Sequence, residues 1–477
     1  MLERLRHLQS LRTQSSRTPG LPDERAPGGA ADAPDRPELV RVPLDDEGNE
    51  RPVYLRRGRM ALEQAVPGEV VETALGECYV VTTRFPLTLR RGPQPLGQLL
   101  AHSPADLASF HPDFGLAAHT DYAQALFLDT ETTGLGGGAS TYAFMVGAGY
   151  FEGNSFLVQQ IFMRHPGEEG PLLLYLAQLL EERGPLVTFN GRSFDVPLLK
   201  GRYLQYRRFL PQESSRALAQ LNGGAHLDLL YPARRLWKRR LQSCRLINLE
   251  QQILGLSRNG DDVPGSLIPQ MYVDYVRSGN AAEMQRVFYH NLEDIVTMPA
   301  LAQQIAQSFG EPFAGTERLS VQGADWLGLG AWYAEQGNEL LAEQALRMAL
   351  EHDRAPDVQA EGYHRLGLLY KRRARWDEAT EAWQRWLGSV PGFYLEPFEE
   401  LAKYCEWVTR DLEQAEMWAG FALATLQGAP PHQRPPGAAQ QLAHRLERIR
   451  RKQRRPATGA PDHEESSHGE SGHGEPR

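Results

Sequence analysis

The sequence predicts an α/β domain on a five-stranded mixed sheet with helices, followed by an all-α domain of helical repeats. Apolar strand-like runs alternate with amphipathic stretches between residues 120 and 310, and hairpin-joined strands precede helix-separated ones. Beyond residue 320 a short pattern returns at helix-pair spacing. With 477 residues and 41% hydrophobic side chains, the chain has room for two or three domains with real cores. That composition excludes collagen, a wholly disordered chain and a multi-span membrane protein. Lys+Arg 51 against Asp+Glu 60 gives a net charge of -9. Cys78, Cys244 and Cys405 are too far apart in the chain for a disulfide framework or a CxxC metal site, so a reducing, cytoplasmic setting is expected.

Residues 1–36 are rich in Arg, Pro, Gly and Ala, without an apolar core of the secretory type, and are expected to be disordered past a short basic helix. Residues 37–119 read as a small β-rich lead-in, from runs such as Cys78-Tyr-Val-Val-Thr-Thr broken by Gly and Pro. In 120–310, residues 125–129 form a short apolar strand, and 142–150 and 155–163 pair through the turn Glu152-Gly-Asn154. Pro171 suits the first turn of a helix over 172–182. Strands are expected at 185–189 and 226–230, with a helix running from Asp195 to 208 and a helical tract over 281–308. The uncharged stretch 132–151 is too glycine-rich for a membrane span, and no membrane association is expected.

In the third region Leu329-Gly-Ala-Trp-Tyr333 returns as Leu366-Gly-Leu-Leu-Tyr370 and, weakly, at Leu401-Ala-Lys-Tyr404. Small residues recur at Ala345, Ala379 and Ala415, where helix pairs approach closely, so 320–426 reads as tetratricopeptide-type repeats. This region has 18 acids against 10 Lys/Arg, net -8, which suits a protein partner. Residues 427–477 read as a low-complexity tail containing a basic helical stretch at 446–455, then His463, His468 and His473 in a solvated segment.

The chemistry concentrates in three places. In Leu128-Asp-Thr-Glu-Thr-Thr-Gly134, Asp129 and Glu131 point to one face of an extended segment and want a cation between them; a Thr/Asp-bonded turn before Gly134 accounts for the pattern equally well. In Thr188-Phe-Asn-Gly-Arg-Ser-Phe-Asp195 the aspartate opens a helix, where capping is its commoner role. In Tyr289-His-Asn-Leu-Glu-Asp294, His290 and Asp294 share a helical face. The glycines 134–138 lack the lysine of a phosphate-binding loop and read as a turn or a close approach to a nucleotide.

These blocks resemble the motifs of the DEDD 3′–5′ exonucleases of the ribonuclease H-like superfamily. Asp129-Thr-Glu is similar to the first, Asn190-x-x-x-Phe194-Asp195 to the second, and His290-x-x-x-Asp294 to the third, with histidine where one branch has tyrosine. The intervening His226-Leu-Asp-Leu-Leu-Tyr-Pro-Ala-Arg-Arg-Leu-Trp237, Ser243-Cys-Arg-Leu246 and Pro264-Gly-Ser-Leu-Ile-Pro269 most closely resemble the YprB-like group of predicted exonucleases, whose members also carry tetratricopeptide repeats. The resemblance spans about residues 60 to 308. It implies two-metal phosphodiester hydrolysis with Mg²⁺ or Mn²⁺. Asp129 would bridge both ions, Glu131 and Asp294 would hold the first, and Asp195 the second. His290 would orient or deprotonate the attacking water. Structure-specific endonucleolytic cleavage and a non-catalytic scaffold are the alternatives, and Glu293 and Tyr289 are secondary choices in the third motif.

The substrate is expected to be single-stranded DNA or RNA, lying against Thr130, Thr132 and Asn190 of the motifs. A basic stretch over 200–245 would follow its phosphates through Arg207, Arg208, Arg234, Arg235, Lys238, Arg239 and Arg240, with Tyr203, Tyr206, Tyr231 and Trp237 interleaved for stacking. A basic solvated face whose aromatics are core is the plainer reading of the same stretch.

Overall fold

The computed structural model describes residues 60–134, 141–210, 215–258, 262–310 and 321–454. The basic segment 1–36, the glycines 136–138 and His463, His468 and His473 lie outside the described residues. The chain divides after Val321 into two compact units.

Seven strands build one mixed sheet in the first unit: β1 (Glu69–Thr73), β2 (Gly76–Pro86), β3 (Leu126–Thr132), β4 (Ala143–Glu152), β5 (Ser155–Phe162), β6 (Leu186–Thr188) and β7 (His226–Asp228). Their order is β1-β2-β5-β4-β3-β6-β7. The strands from β1 through β2, β5 and β4 to β3 pair antiparallel, while β3, β6 and β7 run parallel. The five expected strands are β3 to β7, so the sheet is larger than the sequence indicated. β2 aligns on the outer side of β5, from Tyr79 against Phe162 to Pro86 against Ser155, and β1 follows it. Cys78, Tyr79, Val80 and Val81 are buried by this extension. Apolar alternation is the same for an isolated hairpin and an added edge, so only the long-range register separates them.

β4 and β5 close through a two-residue loop in which Gly153 takes φ +56°. Six α-helices of at least two turns accompany the sheet among the described residues: α1 (Glu169–Glu182), α2 (Asp195–Tyr206), α3 (Ser215–Gly223), α4 (Leu230–Trp237), α5 (Ile268–Ser278) and α6 (Met284–Gly310). Pro171 falls in the first turn of α1, where it removes no helical hydrogen bond. β6 and β7, reached through helices as parallel neighbours require, are buried along their whole length.

The second unit is all helical: α7 (Gly323–Glu335), α8 (Glu339–His352), α9 (Pro356–Arg372), α10 (Trp376–Ser389), α11 (Glu396–Tyr404), α12 (Leu412–Gly428) and α13 (Ala438–Arg454). Each packs on the next, with Ala345, Ala379 and Ala415 fully buried. α13 begins upstream of the expected basic stretch, because Ala438 and Leu442 pack with Leu426 while Leu446 and Ile449 pack with Ala415 and Ala419. All three cysteines are free. No helix among the described residues is long and apolar enough to cross a membrane.

His226 sits at the start of β7 with Nε2 2.9 Å from the Thr188 hydroxyl of β6. Burial, reinforced by Arg192 and Lys200, lowers its pKa from 6.5 to about 3. The unfolded chain therefore takes up a proton below about pH 6.5 that the folded chain refuses, and this contribution to stability is lost as pH falls towards 3. Urea midpoints measured between these limits should fall less steeply for His226→Gln than for the wild type.

Candidate active site

β3, which joins the antiparallel and parallel parts of the sheet, carries Asp129 and Glu131 on one face. Asp129 stands opposite Gly147 of β4, and Gly147 in turn stands opposite Gln160 of β5. α6 lies across this row. A Cβ at Gly147 would come within 2.4 Å of Asn291 Oδ1, and one at Gly149 within 2.6 Å of Ile295 Cγ2, so both positions admit the helix only as glycine. The helix then completes a chain of side-chain hydrogen bonds. Gln160 Nε2 donates to Asn291 Oδ1 at 3.0 Å, and Asn291 Nδ2 donates to Asp129 Oδ2 at 3.1 Å.

The turn after β6 brings in Asp195. Asn190 takes φ +68°, and a Cβ on Gly191 would collide with Thr188. Asp228, fully buried at the end of β7, braces this turn by accepting from the backbone N–H groups of Asn190 (2.7 Å), Arg192 (3.1 Å) and Leu230 (3.1 Å). Asp195 is the first residue of α2 and does not cap it; Phe194 occupies the cap position. The Asp195 carboxylate instead crosses to β3 and accepts from the Thr130 N–H (3.0 Å) and the Thr130 hydroxyl.

α6 supplies His290 and Asp294 one turn apart, with His290 Nε2 3.7 Å from Asp294 Oδ2. Asp262 Oδ1 lies 2.7 Å from His290 Nδ1. Arg258 pairs with Asp294 and forms a two-pronged bond to Glu250 (2.7 and 2.6 Å), while its Nη1 lies 3.5 Å from Asp262. Glu293 points elsewhere and pairs with Arg91.

Charge balance in this pocket is strained. Burial raises the Asp129 carboxyl well above its ordinary range, and Asp195, Asp294 and Glu131 push it further against the Asn291 hydrogen bond. Burial, with Asp294 and Asp195, raises Glu131 to about 8 despite the opposing charges of His290 and Arg258. Asp195 rises to about 6 through burial, partly offset by its hydrogen bonds to Thr130. His290 is lowered by burial, but Asp294, Glu131 and Asp262 outweigh that and raise it. Crowded hard-oxygen donors of this kind fit Mg²⁺ or Mn²⁺ chemically. Among the described residues, however, no three His, Cys, Asp or Glu side chains are already arranged to hold an ion.

The expected strand-binding residues separate into groups. The hydroxyls of Thr130 and Thr132 are committed to Asp195 and to the Gly134 carbonyl, whereas Asn190 is half-buried on the turn. Arg234, Lys238 and Arg239 are exposed on and just beyond α4, and Arg235 and Arg240 are half-buried. Arg207 and Arg208, although exposed, follow the far end of α2, about 18 Å along the helix from Asp195. The interleaved aromatics are largely core. Tyr203 is buried with its hydroxyl on Leu173 O, Trp237 is buried, and Tyr231 packs edge-on against Phe114 and His111. Arg202 is also interior, paired with buried Glu169. Phe194, beside Asp195, is 61% exposed.

Sequence reasoning did not single out Asp262, Arg258, Asp228, Gln160 or Phe194 as site residues. The one available signal lay in the quoted blocks around Asp228 and Phe194.

This strand order, with carboxylates on β3, on the helix after its parallel neighbour and on the closing helix, defines a ribonuclease H-like fold. Residues 126–306 match the family described as the RNase_H superfamily, which points to nuclease chemistry on nucleic acid. The chain is 29% identical over 316 residues to "Uncharacterized protein YprB" of Bacillus subtilis (strain 168), a match covering 65% of this chain and 71% of that protein.

Gly147→Ala should destabilise the α/β unit by about 1–3 kcal/mol in urea unfolding, because the added methyl displaces Asn291 and with it α6. Gly201→Ala, inside α2 with nothing within 4 Å of the new Cβ, should be neutral or stabilising.

Proposed function

We propose that the α/β unit is a divalent-metal-dependent nuclease that shortens single-stranded or frayed nucleic acid from its 3′ end. The observation that carries this reading is the convergence of four carboxylates from three separate segments, Asp129 and Glu131 on β3, Asp195 at the start of α2 hydrogen-bonded to Thr130 of β3, and Asp294 on α6, with burial raising the first three. Two divalent cations bound there would neutralise the carboxylates, polarise the scissile phosphate and acidify an attacking water. Asp129, Glu131 and Asp294 would hold one ion, and Asp129 with Asp195 the other. His290, its Nδ1–H directed at Asp262, keeps Nε2 to orient the water and take its proton. Thr130 positions Asp195 rather than touching substrate. Phe194 stacks on a base near the 3′ end, and Arg234, Lys238 and Arg239 hold phosphates. The helical unit is read as tetratricopeptide-type repeats that recruit a protein partner, supported by its buried alanines and net charge of -8 over 320–426. Free cysteines suit a cytoplasmic setting.

Arg258 favours a second reading. Its guanidinium already supplies a cation to Asp294, as in a nucleic-acid-binding domain that cleaves nothing.

The deciding experiment uses 5′-labelled single-stranded DNA and RNA with Mn²⁺, Mg²⁺ or EDTA. The expected result is a ladder shortening from the 3′ end, abolished by EDTA and slowed at least about a hundredfold by Asp129→Asn. Internal cuts that persist with a blocked 3′ end would replace the exonuclease with an endonuclease on the same residues. Absence of both hydrolysis and Mn²⁺ uptake in titration calorimetry would leave the second reading. Phe194→Ala should raise KM with little change in kcat, the signature of lost uniform binding.

A further inference from the structure

α13 presents a cationic surface that the nuclease reading does not use. It carries Arg445, Arg448, Arg450, Arg451, Lys452 and Arg454 against one acid, Glu447. Its apolar side is spent: Leu442, Leu446 and Ile449 are buried against the preceding helices, leaving no greasy face for a lipid surface. Glu406, whose side chain is fully buried, accepts from Arg448 Nη2 at 2.6 Å and Lys452 Nζ at 2.8 Å, with Arg445 Nη1 3.5 Å away. This clamp fixes one flank of α13 beside Trp407.

Trp407 is the second, independent observation. It lies in a π-helical turn, Cys405–Thr409, that ends in Arg410 at φ +57°. Its indole is 59% exposed, with Lys452 Nζ 3.6 Å and Arg448 Cζ 5.5 Å from the ring centroid. Lys452 covers one face of the ring and the rest stays in water, where stacking by a planar partner would recover hydrophobic free energy. Arg451 and Arg454 continue the positive charge onto the solvent side of α13. The face opposite Lys452 is the one a base can stack on, and an aromatic ring beside fixed cations is an arrangement by which single strands are bound without sequence preference, with bases stacking and phosphates meeting the cations. An acidic peptide would use the arginines but leave the indole unoccupied.

We propose that Trp407 and the cationic face of α13 form a binding site for single-stranded nucleic acid in the helical unit, additional to the acidic pocket. The site requires no metal and no hydrolysis. Its test is fluorescence anisotropy of the full chain in EDTA with a short fluorescein-labelled oligodeoxythymidine. Trp407→Ala should weaken binding at least about fivefold, and Trp407→Phe should retain most of it. The pair Arg451→Glu and Arg454→Glu should weaken binding and flatten its dependence on salt, because fewer counterions are released. Wild-type affinity in the Trp407→Ala variant, or in the charge-reversed pair, would overturn the proposal. So would displacement of the probe by polyaspartate as readily as by unlabelled oligodeoxythymidine. Trp407-dependent binding without any hydrolysis would sink the nuclease reading alone, whereas hydrolysis without Trp407-dependent binding would sink this inference alone.

Discussion

The α/β unit depends on a short run of buried amides. Gln160 orients Asn291, and Asn291 holds Asp129, so a residue of β5 decides where the carboxylate on β3 points and where α6 must lie. Gln160 Nε2 also donates to the Phe288 carbonyl at 2.8 Å, which ties the same amide to the helix backbone. A buried amide that loses its partner costs about 1–3 kcal/mol, so the helix cannot rotate or slip without breaking the set together. His290 flanks Asn291, and Asp294 follows one turn later; both inherit their placement from it. The two glycines of β4 make this possible by leaving room, and the amides make it specific by supplying directed bonds.

Around that fixed point the charges are unevenly matched. Burial raises Asp129, Glu131 and Asp195, with His290 and Arg258 opposing it at Glu131 and the Thr130 hydrogen bonds opposing it at Asp195, while Asp294 has Arg258 as a partner. Arg258 is anchored chiefly by Glu250, a side chain only 2% exposed, through two parallel bonds. Its position therefore survives if Asp294 turns to another cation. The guanidinium is thus a buried, fixed neighbour of Asp294.

Much of the first unit was legible because its signals are local. The apolar runs that became β3 to β7, the Gly153 turn and the strand-end carboxylates are each contained within a few residues. What escaped is long-range. Gln160 and Asn291 are 131 residues apart, and neither is unusual by itself. Asp262 and Arg258 lie in a polar connection whose meaning exists only when α6 is beside it. The attachment of β2 to β5 is a choice of register, to which apolar alternation is blind. The basic stretch shows the opposite error. Counting arginines and tyrosines cannot tell which are interior, and Arg202, Tyr203 and Trp237 all are.

Among the described residues β1 is the outermost strand on one side of the sheet, with no strand paired to its outer backbone groups, whereas β7 at the other side is wholly buried. Glu69, Val70 and Glu72 are exposed along β1. Two carboxylates in five residues repel a second copy of the same edge approaching in antiparallel register. The added hairpin thus has a bearing on colloidal behaviour as well as on the fold: it covers β5 with a strand whose own rim discourages self-association.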